Sequence, residues 1–477
     1  MVKPFPKNDP FLNGYYAPLH AEGDAANLPI SGELPRGLEG TLYRIGPNPQ
    51  FAPRGKYHWF AGDGMLHMFR LGGGRAAYRN RFVRTPKWEL EHAAGESLSA
   101  GTLGPSPLND PRIAQLRSTV ANTNVVFHAG HLLALEELHA PFEVDADSLA
   151  PKGYQTYGGD LAGAMTAHPK VDPVNGELIG FAYQTGGLGS RDMALHIVGA
   201  DGQLRRSETF LAPLAGVLHD FCPTSRHIVF PVFPLTGSLE RAKAGLPPYA
   251  WEPELGTHIG IMPRHGSTRS MRWFRGEACY VFHPLNAYDT ADGKVVCDML
   301  KYDVPPGYAL ADGSPAQGRQ RGARLVRWTF DLESNADGYT EKCLSDMPLE
   351  FPRVDERFAL QRHRHGWFVS GSTGTALGDP SHQASIAHVD TLDGATSLWR
   401  PPGRDSCGEP VFVPRHADAA EGDGWLLSVV YRAAEDCSDL AVFDARDVAK
   451  GPLAVVHLSH RVPAGFHGSW RVAESRC

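Results

Sequence analysis

The stretch His196-Ile197-Val198-Gly199-Ala200-Asp201-Gly202-Gln203-Leu204-Arg205 decides the fold class. It sets an Asp-Gly pair between two short strand-like runs. Both turn residues tolerate positive φ, which makes this pair the strongest short-range signal for a β-hairpin. Asp-Gly recurs at Asp63-Gly64, Asp292-Gly293, Asp393-Gly394 and Asp423-Gly424. Other runs with strand character are Leu132-Leu133-Ala134-Leu135, Ile228-Val229-Phe230, Trp425-Leu426-Leu427-Ser428-Val429-Val430 and Leu453-Ala454-Val455-Val456. Few segments of about 12 or more residues carry a helical period, so helices should be short and confined to connections.

Composition agrees. Gly (52) and Pro (38) make up nearly a fifth of the 477 residues, against an average usage of about 12%. Such a chain turns often. No linker, low-complexity tract or change in composition divides it, so residues 1–477 read as a single domain. A sandwich of about 100 residues would need several linked copies. Seven four-stranded blades would use roughly 68 residues each, above the usual ~40–45 and with room for long connections. The expectation is all-β: a seven-bladed β-propeller with loops and short helices capping one face.

Charge and cysteines exclude several functions. A net charge of −7 argues against nucleic acid, whose backbone demands a basic surface. No apolar run reaches the roughly 18 residues of a membrane span, and the opening Met1-Val2-Lys3-Pro4-Phe5-Pro6-Lys7 has no apolar secretory segment. Seven cysteines without a C-x-x-C pair suit reduced thiols rather than disulfides or a zinc site. The expected location is cytoplasmic.

Among 22 histidines, no H-E-x-x-H or Cys/His cluster is present, so a metal site would have to be assembled from distant segments. Four histidines stand among apolar or small residues, where an unpaired imidazole is costly to bury. They occur in Thr166-Ala167-His168-Pro169, Val217-Leu218-His219-Asp220-Phe221, Val281-Phe282-His283-Pro284 and Gly465-Phe466-His467-Gly468-Ser469-Trp470. Their spacings of 51, 64 and 184 residues correspond to about one, one and three blades, so the four could meet at a common axis. His58, His128, His363 and His365 read as ordinary structural residues. Asp63 reads as part of a hairpin turn.

These histidine segments resemble the signature of the carotenoid cleavage oxygenase family, which includes apocarotenoid and lignostilbene dioxygenases and isoeugenol monooxygenases. The resemblance runs from Leu38-Glu39-Gly40-Thr41-Leu42-Tyr43-Arg44 to His467-Gly468-Ser469-Trp470. It takes in Gly62-Asp63-Gly64-Met65, Trp251-Glu252-Pro253-Glu254-Leu255-Gly256, Glu350-Phe351-Pro352-Arg353 and Glu409-Pro410-Val411-Phe412. It implies the propeller fold and Fe(II) bound by His168, His219, His283 and His467, with O2 as co-substrate. Four neutral imidazoles suit iron and leave its full charge. The resemblance also implies that Glu137, Glu350 and Glu409 orient three of the four rings; Glu136 competes with Glu137 on spacing alone. Phe60, Thr102, Glu136, Phe282 and Phe466 are the residues expected to meet substrate.

Relatives that cleave phenolic stilbenes and isoeugenol carry a Tyr shortly after a Ser-Leu pair and a Lys directly before the first bracing Glu. Here Ser97-Leu98 leads to Thr102, and the second position is Glu136. A carboxylate there would oppose ionisation of a phenol. The expected substrate is therefore an apocarotenoid-like apolar alkene, with peripheral membrane contact as a route to it. The alternatives are a stilbene or phenylpropanoid held by a different phenol anchor, and a propeller that binds a ligand without catalysis.

Overall fold

The Asp201-Gly202 hairpin forms. Strands Asp192–Val198 and Leu204–Leu211 pair antiparallel, with Val198 opposite Leu204. Gly202 takes φ +78°, a conformation open to glycine at no steric cost. Behind the hairpin, every residue of Leu178–Tyr183 is buried, whereas the outer strand Leu204–Leu211 alternates half-buried and exposed. A strand covered on both faces reads as a continuous apolar run and an edge strand as an alternating one. Asp292-Gly293 and Asp393-Gly394 likewise connect paired strands.

Asp63-Gly64 departs from expectation. Gly64 opens the strand Gly64–Gly72, and Asp63 is buried at 2% exposure in an ion pair with Lys87 Nζ at 2.6 Å. Lys87 also meets Glu91 at 2.9 Å, and Glu91 accepts from the Leu98 and Ser99 backbone N–H groups. The pair that looked like a turn is a charged anchor for the Ser97–Ser99 loop. Asp423-Gly424 similarly enters the strand Gly424–Arg432 rather than turning between adjacent strands.

The computed structural model describes residues 3–103, 106–114, 116–161, 163–318, 322–371 and 383–473. Among them are seven antiparallel sheets of four or more strands, the blades of a seven-bladed β-propeller. The three α-helices described are short, and Pro86–Ala94 is the longest. Thr85 caps its start and Gly95 its end. No helix among the described residues is long and apolar enough to cross a membrane.

The chain divides into two compact units. One comprises 1–156, 378–386 and 397–477. Its first sheet orders Gly23–Ala25, Arg75–Phe82, Gly64–Gly72, Gly40–Pro47 and Gly468–Val472. The last strand of the chain thus pairs beside one of the first, with Arg44 opposite Gly468. A second sheet gains Ile30–Gly32 against Ala454–His457 in the same way. A core of Leu42, Phe69, Trp425, Leu427, Leu440 and Val456 fills between the sheets of this unit. The other unit comprises 157–377 and 387–396. It holds the sheets of Lys170–Leu211, Cys222–Gly276 and Tyr280–Ser345, with Phe181, Phe221 and Phe230 buried in mutual ring contact.

Candidate metal centre

Three histidines come together within the second unit. His168 stands just before the strand Lys170–Val171, its backbone N–H donating to the Thr166 hydroxyl at 2.9 Å. His219 precedes Cys222–Pro223 on a segment fixed by Asp220, whose carboxylate takes Lys170 Nζ at 2.8 Å and the Phe221 N–H at 2.7 Å. His283 lies in the strand Tyr280–Asp289 where the register shifts twice, between Val281 and Pro284 and between Pro284 and Asn286. Such bulges re-aim side chains out of the regular alternation. The Nε2 atoms of His168 and His219 are 3.0 Å apart, and those of His219 and His283 are 3.1 Å apart.

The far side of the His283 ring is braced. Its Nδ1 meets Glu350 Oε2 at 2.6 Å, while Tyr302 O–H donates to Glu350 Oε1 at 2.9 Å. Glu350 also accepts from the Phe351 N–H at 2.9 Å. Burial would raise the Glu350 pKa, but the neighbouring His283 and these hydrogen bonds hold it below the usual carboxylate range. A carboxylate on Nδ1 keeps the proton there and turns the Nε2 lone pair inward. The strand carrying Glu350 has its own register shift before Arg353, and Phe351 sits at φ +50°. A bulky residue in that conformation is strained. Its ring stacks on His283, with centroids 5.7 Å apart.

His467 belongs to the first unit. Its Nδ1 meets Glu409 Oε1 at 2.8 Å, and Glu409 Oε2 accepts from the Gly468 N–H at 2.8 Å and from Arg44 Nη1 at 3.3 Å. The ligand-capable nitrogens of His168, His219, His283 and His467 all lie within 4.8 Å of one another. The donor set fits a metal ion. With Nδ1 of His283 and His467 each facing a carboxylate, their Nε2 atoms are acceptors. Acceptor lone pairs converging in a buried place need a cation. With metal–nitrogen bonds of about 2.1 Å, two ligands at a right angle sit about 3.0 Å apart, the spacing seen between these nitrogens.

The other expected residues divide. Phe282 stands edge-on to His219, with centroids 5.5 Å apart. Phe466 packs on Trp59 at 4.3 Å and on Phe60 at 5.4 Å. Thr102 is exposed. Glu137, half-buried, follows the strand His131–Leu135, and its neighbour Glu136 pairs with Nδ1 of His139. Sequence reasoning missed Arg44, Tyr302 and Trp59. The only signal for Arg44 was its place in the opening motif; Tyr302 had none, because its partner lies 48 residues away.

The fold and the site define a β-propeller that carries a four-histidine cluster. A family profile described as retinal pigment epithelial membrane protein matches residues 16–472, and the chain belongs to that family, the carotenoid cleavage oxygenases. It is 36% identical to the isoeugenol monooxygenase of Pseudomonas nitroreducens over 97% of this chain and 98% of that one. Among solved structures it resembles the Pseudomonas brassicacearum lignostilbene dioxygenase (TM-score 0.93, 35% identity, 99% and 100% covered). It also resembles a variant of the Synechocystis apocarotenoid oxygenase (TM-score 0.84, 29% identity, 97% and 98% covered), an enzyme also solved with cobalt substituted.

Proposed function

We propose that this chain cleaves a conjugated C=C bond with O2, one oxygen atom going to each carbon to give two carbonyl products. His168, His219, His283 and His467 hold Fe(II), braced by Glu350, Glu409 and Glu137. The observation that carries the reading is the convergence of histidine nitrogens backed by carboxylates. Iron held there supplies a redox-active, positively charged centre that activates O2. The chain's own contribution is to fix the imidazoles, to keep the surroundings apolar through Phe282, Phe466 and Phe60, and to seat the alkene against them. On this reading the chain acts as a single domain, in the cytoplasm, on an apolar substrate reached by peripheral contact with a membrane.

Two substrate classes stand. The absence of a Tyr at Thr102 and of a Lys at Glu136 favours an apocarotenoid-like alkene. The pairing of Glu136 with His139 favours the second, a stilbene or phenylpropanoid. Burial opposes charge on His139, but Glu136 outweighs it and raises the imidazole's pKa, so Glu136 is not a bare carboxylate facing a phenol. The likeness to the isoeugenol and lignostilbene enzymes supports this reading too.

One experiment tests metal and substrate together. The protein should carry about one iron per chain and convert either apocarotenoids or 4-hydroxystilbenes and isoeugenol, as read by product masses. His219→Ala should lose both iron and turnover. Full activity in His219→Ala, or product without any metal, overturns the proposal. The ratio of kcat/KM between the two panels decides the substrate class.

A further inference from the structure

Arg44 is almost wholly buried, 4% exposed, in a strand whose eight residues are all buried. A guanidinium there must be paired and hydrogen-bonded, and a buried pair does not by itself stabilise a fold. Its place calls for another reason. Arg44 Nη1 reaches Glu409 Oε2, the oxygen that also accepts from Gly468 N–H, while Oε1 faces His467 Nδ1. Two donors on one oxygen therefore fix the rotation of the carboxylate and leave the other oxygen aimed at the imidazole.

The glycines beside these residues make room for that side chain. A Cβ on Gly408 would stand 3.0 Å from Arg44 Nη2, and one on Gly468 would stand 2.5 Å from the Tyr43 carbonyl oxygen and 2.8 Å from Arg44 Cδ. Gly408 precedes the bracing Glu409, and Gly468 follows His467. The segments that supply brace and ligand are thus shaped around the arginine. The backbone adds to this. Ile45 N–H donates to the His467 carbonyl at 3.0 Å, and Phe466 N–H donates to the Ile45 carbonyl at 3.0 Å.

We infer that Arg44 is a positioning residue for the metal centre, setting the orientation of His467 through Glu409. The inference rests on His467 being a metal ligand, as proposed above. Arg44 is not one of the clustered histidines and acts through Glu409. Its effect is to hold one ligand in place, so its loss should show first in how long the metal stays.

The test is Fe(II) release to a competing chelator, measured anaerobically on the full-length, metal-loaded protein, with the visible absorption of Co(II)-loaded protein as a reporter of the ligand set. Arg44→Met should speed release about 10-fold, the scale of losing an outer-shell partner, and should alter the Co(II) spectrum. Arg44→Lys should recover part of both. Gly408→Ala, which crowds the guanidinium without removing a charge, should speed release in the same direction. In a Glu409→Gln background, Arg44→Met should add less than about 2-fold, since the two residues act in series. Release that stays at the wild-type rate in Arg44→Met and Gly408→Ala, or effects of Arg44→Met and Glu409→Gln that multiply, would overturn the inference. If Arg44→Met does not fold, Arg44→Lys and Gly408→Ala decide by the same criteria. Wild-type protein that binds no Fe(II) or Co(II) would instead defeat the functional reading itself.

Discussion

Glu350 and Glu409 perform one task in two different surroundings. Each turns an oxygen to the Nδ1 of a histidine, at 2.6 and 2.8 Å, and each accepts the backbone N–H of a nearby residue, Phe351 or Gly468. The third contact differs. Glu350 receives a neutral tyrosine hydroxyl and its side chain is 21% exposed, whereas Glu409 receives a guanidinium and is 1% exposed. The strand of Glu350 is bulged, with Phe351 at φ +50°. The strand of Arg44 pairs in unbroken register with the one opposite, from Gly40 facing Val472 to Arg44 facing Gly468. A half-buried carboxylate can be aimed by a local distortion, but one fully buried needs a counter-charge. The same ligand geometry thus has a soft support on one side and a stiff one on the other.

Breaking the two carboxylates should separate these supports most widely. Glu409→Gln removes the carboxylate paired with the buried Arg44 and should destabilise the fold by about 3–5 kcal/mol, besides loosening the metal. Glu350→Gln should weaken metal retention by roughly 10–100-fold with little change in unfolding free energy. Denaturant melts and metal content of both variants measure this; equal loss of stability would erase the distinction. Tyr302→Phe comes next. It removes one hydrogen bond to Glu350 Oε1, and metal release should rise by less than about 10-fold, below the effect of Glu350→Gln.

The smallest effect concerns a carboxylate–imidazole pair outside the four-histidine set, Glu136 with His139. Because Glu136 raises the His139 pKa in the folded state, the pair's stability contribution is complete below the unfolded value of about 6.5. It fades as pH rises through the folded value. The stability gap between wild type and His139→Gln should therefore narrow between pH 6 and pH 9. A gap constant across that range would show that the pair does not titrate there.

The sequence carried the hairpins at Asp201-Gly202, Asp292-Gly293 and Asp393-Gly394 because their signal is local: two turn residues between two runs. Apolar settings singled out the four histidines, the family resemblance joined them into one set, and the structure brings them within 4.8 Å of one another. Asp63 misled because an Asp-Gly pair at a strand entrance looks the same as one in a turn, and only Lys87, 24 residues on, distinguishes them. Arg44, Tyr302 and the bulge at Phe351 were out of reach for a related reason. Each acquires its role from a partner that register and topology deliver, and neither can be read along the chain.

The pairing of Gly40–Arg44 with Gly468–Val472 also bears on biosynthesis. Arg44 and Glu409 are 365 residues apart in the sequence, and His467 follows later still. On a ribosome, the opening strand waits beside an empty edge until the final segment emerges, and the entropy of joining such distant ends grows only logarithmically with their separation. A nascent chain stopped just before residue 467 carries only three of the four clustered histidines, so on the proposed function complete metal loading requires synthesis to have passed that residue.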